Sequence, residues 1–238
     1  MPISLYWPRV DNLESFELDQ KITMFKVLEL LGNPQNKLTN IIHITGTNGK
    51  GSVAEYISTI LIKSGIKTGK YYSPHIYDIC ERISINKENI LVDDLYSILE
   101  KIRYICEKQD IQLTEFQATT LIMIEYFSNK NTSANVIEVG MGGLCDATNI
   151  FTASQSKITI ITPIDLDHVK FLGNTIQEIS AHKAYLIKEN SICISATQKP
   201  EALAIIEKRC QMQGSILFLL GRDFEIEKID YKIHININ

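Results

Sequence analysis

The chain is 238 residues long and has one tryptophan, six prolines and no run of basic residues. Its five cysteines (Cys80, Cys106, Cys145, Cys193 and Cys210) are odd in number and nowhere spaced Cys-x-x-Cys. They read as reduced, small apolar side chains of a cytoplasmic protein. No uninterrupted apolar span is long enough for a membrane helix, so no membrane partner is expected. Residues 1–10 hold Trp7 and two prolines but no basic region followed by an apolar stretch, so they do not read as a signal peptide. Lysines are scattered and the formal net charge is −4, so the charge gives no reason to expect a nucleic-acid partner. With 45% hydrophobic residues the chain should fold around a sizeable core, as one large domain or two small ones.

The most informative stretch is residues 41–52, Ile-Ile-His-Ile-Thr-Gly-Thr-Asn-Gly-Lys-Gly-Ser. An apolar, β-branched run leads into a glycine-rich turn with one lysine, at the start of a helical pattern. Glycines let backbone N–H groups converge on an anion, the lysine adds a mobile positive charge, and a hydroxyl can reach Mg²⁺. Gly46-Thr47-Asn48-Gly49-Lys50-Gly51-Ser52 departs from the generic phosphate loop, with Ile44 where the first glycine would stand and Ser52 one place late. The alternative is a plain Gly/Asn turn with an incidental lysine. The context argues against it: a short strand precedes the turn, Val53, Ile57, Ile60 and Leu61 follow at helical spacing, and Gly65 supplies a stop.

Strand and helix patterns alternate along the rest of the chain. Strands are expected at residues 66–72, 135–139, 157–162, 191–195 and 215–220. Helices are expected from Asp93 with Leu95, Ile98, Leu99, Ile102 and Ile105 as the apolar face, from a Thr114 cap through Phe127, and over residues 175–188 and 199–212. Residues 77–92 are less regular and read as an excursion or small hairpin. The alternation predicts an α/β fold, a mostly parallel sheet with helices on both faces. Functional loops then belong at the carboxyl ends of the strands.

Four further segments follow predicted strands or lie beside them. Tyr72-Ser73-Pro74-His75 alone reads as a Ser-Pro turn. Glu138 ends a buried strand, where a carboxylate is costly unless it is paired or holds a cation, and both readings stay open. His168, beside Asp165 and Asp167, is either a structural histidine or a ligand. Lys183, inside a helical pattern, reads as a solvated face residue.

Together these segments resemble the bacterial folylpolyglutamate synthase/dihydrofolate synthase enzymes, a branch of the Mur ligase family. The matching pieces run in the family's order: His43 through Ser52, Ser73-Pro74-His75, Glu81-Arg82-Ile83, Glu115-Phe116, Glu138-Val139-Gly140-Met141-Gly142-Gly143, Asp146-Ala147-Thr148-Asn149, Leu166-Asp167-His168, Leu172-Gly173, Lys183-Ala184 and Gly221-Arg222-Asp223-Phe224. The resemblance implies a P-loop NTPase-like Mur ligase central domain and an ATP-dependent amide ligase. Its substrates would be dihydropteroate or a reduced folate and L-glutamate, joined through an acyl phosphate, with ATP and Mg²⁺ required and a monomeric state. It also implies roles for single residues. Thr47, Asn48, Gly49, Lys50, Gly51 and Ser52 would hold ATP, and Lys50 would be the catalytic cation. Ser73, Glu138 and His168 would hold Mg²⁺, with His168 also in the catalytic set. Lys183 matches a lysine the family carries as a carbamate. Phe116, Asp146 and Ala147 would contact the pterin-bearing substrate.

This sequence departs from the family pattern at several places. Leu144 stands where the family has arginine, so a substrate-side cation is missing. Lys183 sits in Ala181-His182-Lys183-Ala184-Tyr185, without the family's acidic neighbour. The N-terminal substrate motif is poorly kept over residues 16–22. Family members continue beyond the position of Asn238, so residues 1–238 are expected to form a single ATP-binding domain with the family's C-terminal domain absent. Two alternatives accompany the ligase reading: a truncated nucleotide-binding remnant without catalysis, and another Mur-type ligase.

Overall fold

The structure is a computed structural model and describes residues 19–229 and 232–237. Residues 1–10, with Trp7, and the first part of the 16–22 motif lie outside the described residues. After helix α1 (Asp19–Leu30), strands and helices alternate: β1 (Ile41–Thr45), α2 (Lys50–Lys63), β2 (Thr68–Tyr71), β3 (Ile83–Ile85), β4 (Glu88–Asn89), α3 (Val92–Gln109), α4 (Glu115–Asn129), β5 (Ala134–Glu138), β6 (Ile158–Ile161), α5 (Val169–Leu172), α6 (Ile176–Ala184), β7 (Ile192–Ser195), α7 (Pro200–Gln213) and β8 (Ile216–Leu219). Eight strands form one sheet in the order β4-β3-β2-β5-β1-β6-β7-β8. The six from β2 to β8 pair in parallel, and β3 and β4 add an antiparallel hairpin at one edge, so the 77–92 segment does hold the small hairpin. A separate antiparallel pair, β9 (Phe224–Ile229) and β10 (Lys232–Ile237), follows.

The period-two alternation of β1 divides its side chains between two cores. Ile42 and Ile44 pack with Val53, Ala54, Ile57 and Leu61 of α2 and with Val136 of β5. Ile41 faces the other way, into a larger core with Tyr71, Ile137 and residues of α1, α3 and α4. His43 and Thr45 share that second face. A third cluster joins Ile161 and Cys193 of the sheet to Ile179 of α6 and to Ala202 and Ile206 of α7.

Local signals set the helix boundaries. Thr114 forms a capping box: its hydroxyl accepts from the Gln117 N–H at 3.1 Å, and Gln117 Oε1 accepts from the Thr114 N–H at 2.7 Å. Such a cap contributes about 1 kcal/mol. Asp93 and Asp94 lie in the first turn of α3, whose buried face is Leu95, Ile98, Leu99 and Ile102 as the spacing predicts. One helix is shorter than expected. The pattern over 175–188 becomes α6, which ends at Ala184, because the chain tightens into short-range bonds from Leu186 N–H to Lys183 O and from Ile187 N–H to Ala184 O. That early end frees Lys188 to donate to Asn149 Oδ1 at 2.5 Å.

Candidate active site

Strand β1 ends at Thr45, and the chain turns through residues 46–49 into α2. At Gly46 the backbone takes φ +136°, and a Cβ there would lie 1.9 Å from Thr162 Oγ1, so only glycine fits. Gly49 caps α2 in the left-handed region, with no side-chain cap and no acidic residue in the first turn. Val53 N–H makes the first bond of the helix, to Gly49 O at 3.0 Å. The amides of Lys50, Gly51 and Ser52 therefore point out of the helix end, with the positive end of the helix dipole behind them. The turn is tied to the next crossover: Thr47 N–H donates to Pro163 O at 3.0 Å, and Thr47 Oγ1 donates to Asp165 O at 3.0 Å. Lys50 Nζ folds back onto the loop, donating to Gly46 O and Thr47 O at 3.1 Å each.

Two buried ionisable side chains flank this loop. Glu138, at the carboxyl end of β5, is 4% exposed, and its Oε2 lies 3.5 Å from where a Cβ on Gly51 would stand. Oε2 has no hydrogen-bond partner among the described residues. Burial pushes the carboxyl up to about 7, opposed by the positive charge of Lys50 and by the Ser73 N–H. Lys183 is 2% exposed, so the solvated-face expectation is wrong: α6 packs inward here, and Nζ donates to Gly46 O at 2.8 Å. Burial, and then the charge of Lys50, lowers its ammonium to about 8.

The loop opens into a cleft of about 650 Å³ lined by Thr47, Lys50, Ser73, Phe116, Asp146, Ala147, His168 and others. Two of the loop candidates, two of the three metal candidates (Ser73 and His168) and all three substrate candidates thus line one cleft, whereas Glu138 does not line it and stands beside Gly51 of the loop. Ser73 precedes a cis peptide to Pro74. His168 caps α5 at φ +47°, is about half exposed, and lies 3.5 Å from Asp167 Oδ1. The Phe116 ring sits 6.1 Å from that of Tyr71 and so close over Gly140 that a Cβ there would come within 2.5 Å of it. Asp146 is buried and held by the Met141 N–H, the Thr148 N–H and the Thr148 hydroxyl, with the Gly140 N–H also directed at it. Burial raises its pKa, and those bonds pull the other way.

The buried, unpartnered Glu138 oxygen beside the loop fits a hard divalent cation. Among the described residues no three His, Cys, Asp or Glu side chains converge to hold a metal by themselves. Mg²⁺ takes one or two carboxylates and completes its shell with water and substrate phosphates, and Glu138 could supply one of them.

Sequence reasoning left Arg82 without a role. Its side chain is 11% exposed and lines the cleft, with Nε donating to His75 Nδ1 at 2.9 Å and Nη2 3.4 Å from Glu115 Oε1. It puts a guanidinium into the cleft. Its position just before the apolar run of β3 was the available signal. The pairing of His43 with Thr148, 105 residues apart, left no signal at all.

The model for the Mur ligase middle domain matches residues 44–215. A dihydrofolate synthetase of Saccharomyces cerevisiae is 37% identical over 207 residues, which is 86% of this chain and 48% of that protein. A folylpolyglutamate synthase of Lacticaseibacillus casei is 37% identical over 213 residues, 87% of this chain and 48% of that protein. Among solved structures, the apo form of L. casei FPGS superposes with a TM-score of 0.85 at 35% identity, covering 93% of this chain and 53% of that one. An FPGS–AMPPCP–folate complex gives a TM-score of 0.85 at 34% identity, covering 94% and 53%. The chain spans about half the length of these relatives.

Proposed function

The chain belongs to the Mur ligase family, in its folylpolyglutamate/dihydrofolate synthase branch, and from that premise we propose that it is the ATP-binding domain of an ATP-dependent amide ligase. The reaction joins L-glutamate to dihydropteroate or a reduced folate. The observation that carries this reading is that Thr47 and Lys50 of the amide-lined loop share one cleft with the Phe116–Asp146 wall, while the orphaned Glu138 oxygen lies beside Gly51 of the same loop. Relatives solved with AMPPCP and with folate support both halves of it.

A carboxylate is a poor electrophile because its charge repels a nucleophile and it has no good leaving group. Transfer of the γ-phosphoryl group of ATP to the substrate carboxylate gives an acyl phosphate and ADP. The glutamate amine then attacks the acyl carbon, and phosphate leaves from the tetrahedral intermediate as the amine loses its proton. Catalysis of such steps is mostly positioning and charge neutralisation. In this chain the amides of residues 48–52 take the phosphates. Lys50 exchanges its two loop carbonyls for the β/γ oxygens. Glu138, Ser73 and His168 are the side chains that would hold Mg²⁺, which supplies countercharge to the migrating group. Phe116, Asp146 and Ala147 receive the pterin-bearing end.

We read Lys183 as a site for carbamylation. Its lowered ammonium pKa makes the neutral amine accessible near pH 8. Attack on CO₂ forms the N–C bond and releases a proton, and the nitrogen keeps one N–H for Gly46 O. The product is an anion beside the loop in place of a second cation. The chain is proposed to act in the cytoplasm, as a monomer. No helix among the described residues is long and apolar enough to cross a membrane.

The test is to incubate the purified chain with Mg-ATP, dihydropteroate and glutamate and to measure ADP and glutamylated product. Product lost in Lys50→Ala supports the ligase. Nucleotide binding without product favours a nucleotide-binding domain that requires further residues for turnover. Neither binding nor product refutes the site.

A further inference from the structure

Strand β1 carries a buried histidine that the nucleotide loop does not use. His43 is fully buried, and its Nε2 lies 2.8 Å from Thr148 Oγ1. The Thr148 hydroxyl donates to Asp146 Oδ1 at 2.5 Å, and the Thr148 N–H donates to the same oxygen at 2.9 Å. A hydroxyl has one proton to give. With that proton directed at Asp146, Thr148 Oγ1 must accept from the imidazole, so Nε2 carries the hydrogen and Nδ1 is bare. Among the described residues Nδ1 has no hydrogen-bond partner, so no acceptor there competes for the ring proton. Burial lowers the ring's pKa to about 3, which keeps it neutral at ordinary pH.

The other Asp146 oxygen, Oδ2, accepts from the Met141 N–H at 2.9 Å, and Asp146 lines the cleft beside Ala147 and Phe116. A buried carboxylate keeps its charge only while its donors stay in place. Without a donor from His43, the Thr148 oxygen loses the contact that fixes its rotamer, and its bond to Asp146 is less firmly held.

We propose that His43 is a positioning residue for substrate recognition: its Nε2–H aims the Thr148 hydroxyl at Asp146, and Asp146 is thereby presented to the cleft as an acceptor for the N–H groups of a nitrogen heterocycle. This rests on the placing of the pterin-bearing substrate at Asp146 and Phe116. His43 touches neither the substrate nor the phosphates. It acts through Thr148.

The experiment measures dihydropteroate and Mg-ATP affinities by titration calorimetry in the full chain and in His43→Leu, His43→Gln and Thr148→Val, with thermal unfolding of each. A hydrogen bond to a charged group is worth about 1.5 kcal/mol or more, so His43→Leu and Thr148→Val should each weaken dihydropteroate about tenfold or more and leave Mg-ATP unchanged. The double variant should be no worse than either single one, because both break the same path. His43→Gln, which keeps an N–H donor, should recover most of the affinity. Nitrogen NMR of the ring should show a protonated Nε2 and a bare Nδ1. Unchanged dihydropteroate affinity in a folded His43→Leu, equal losses for both ligands, or a protonated Nδ1 would each overturn the proposal. A parent chain that binds no dihydropteroate overturns the substrate assignment and this proposal together. Parent binding with an unaltered His43→Leu overturns this proposal alone.

Discussion

Replacing Glu138 by glutamine should make the ligand-free chain more stable and the ligand-bound chain weaker. Glu138 is 4% exposed, and its Oε2 has no partner among the described residues. Its pKa rises from an ordinary 4.5 to about 7 in the fold, mainly through burial. Between those two values the folded state holds a proton that the unfolded state has released. Stability of the ligand-free chain therefore falls as pH rises from about 4.5 through 7, and the loss is complete above the folded value. The gap corresponds to about 3 kcal/mol, an upper bound. Glutamine has no such titration. The advantage of Glu138→Gln should grow from near zero at pH 4.5 to about 2–3 kcal/mol at pH 8, because the amide keeps an acceptor for the Ser73 N–H but leaves its own N–H₂ poorly paired. Urea unfolding of both proteins in chelator, at pH 5 and pH 8, reads the difference directly. With saturating Mg-ATP the order should reverse, since the variant loses its cation ligand and gains less from the nucleotide. An advantage that does not change with pH would refute the reasoning, and so would equal stabilisation of both proteins by Mg-ATP.

Other positions should respond in ways that separate fold from function. Gly46→Ala places a Cβ 1.9 Å from Thr162 Oγ1 at φ +136° and should cost more than about 3 kcal/mol in urea unfolding, or prevent folding. His43 has a depressed folded pKa of about 3 against 6.5, so it contributes stability above pH 6.5 that is lost as pH falls toward 3. The loss reaches about 4 kcal/mol, and His43→Gln should flatten the acid limb of the unfolding curve. Phe116→Ala should weaken dihydropteroate binding while sparing Mg-ATP, because the ring packs on Tyr71 and Gly140 rather than on the loop. Intact-mass measurement at pH 8 in bicarbonate should show one added CO₂ in the parent chain and none in Lys183→Met, and an unmodified parent would contradict the carbamate.

The sheet could be read from the sequence because its strands are short, β-branched and set between glycine or polar turns. Five strands beyond β1 fall within a few residues of their expected positions, since the central parallel strands have a composition that loops lack. The phosphate loop could be read because the backbone itself dictates the residues: φ +136° at Gly46 and the left-handed cap at Gly49 admit few alternatives. The end of α6 is not legible because Leu186 and Ile187 continue a helical spacing past the point where the chain tightens into short-range bonds. The burial of Lys183 is hidden for a related reason. One lysine in a helical pattern carries no mark of which face the helix buries. Arg82 and the His43–Thr148–Asp146 chain were hidden because their partners lie on other elements, and pairs so distant leave no local periodicity.

The central claim is that the loop amides, Lys50 and Glu138 together hold a magnesium nucleotide. Titration calorimetry of a non-hydrolysable ATP analogue tests it most directly, with and without Mg²⁺, in the parent chain, Lys50→Ala and Glu138→Gln. The account predicts Mg²⁺-dependent binding by the parent, a large loss in Lys50→Ala, and loss of the Mg²⁺ dependence in Glu138→Gln. Parent-like, Mg²⁺-dependent binding in both variants would contradict it.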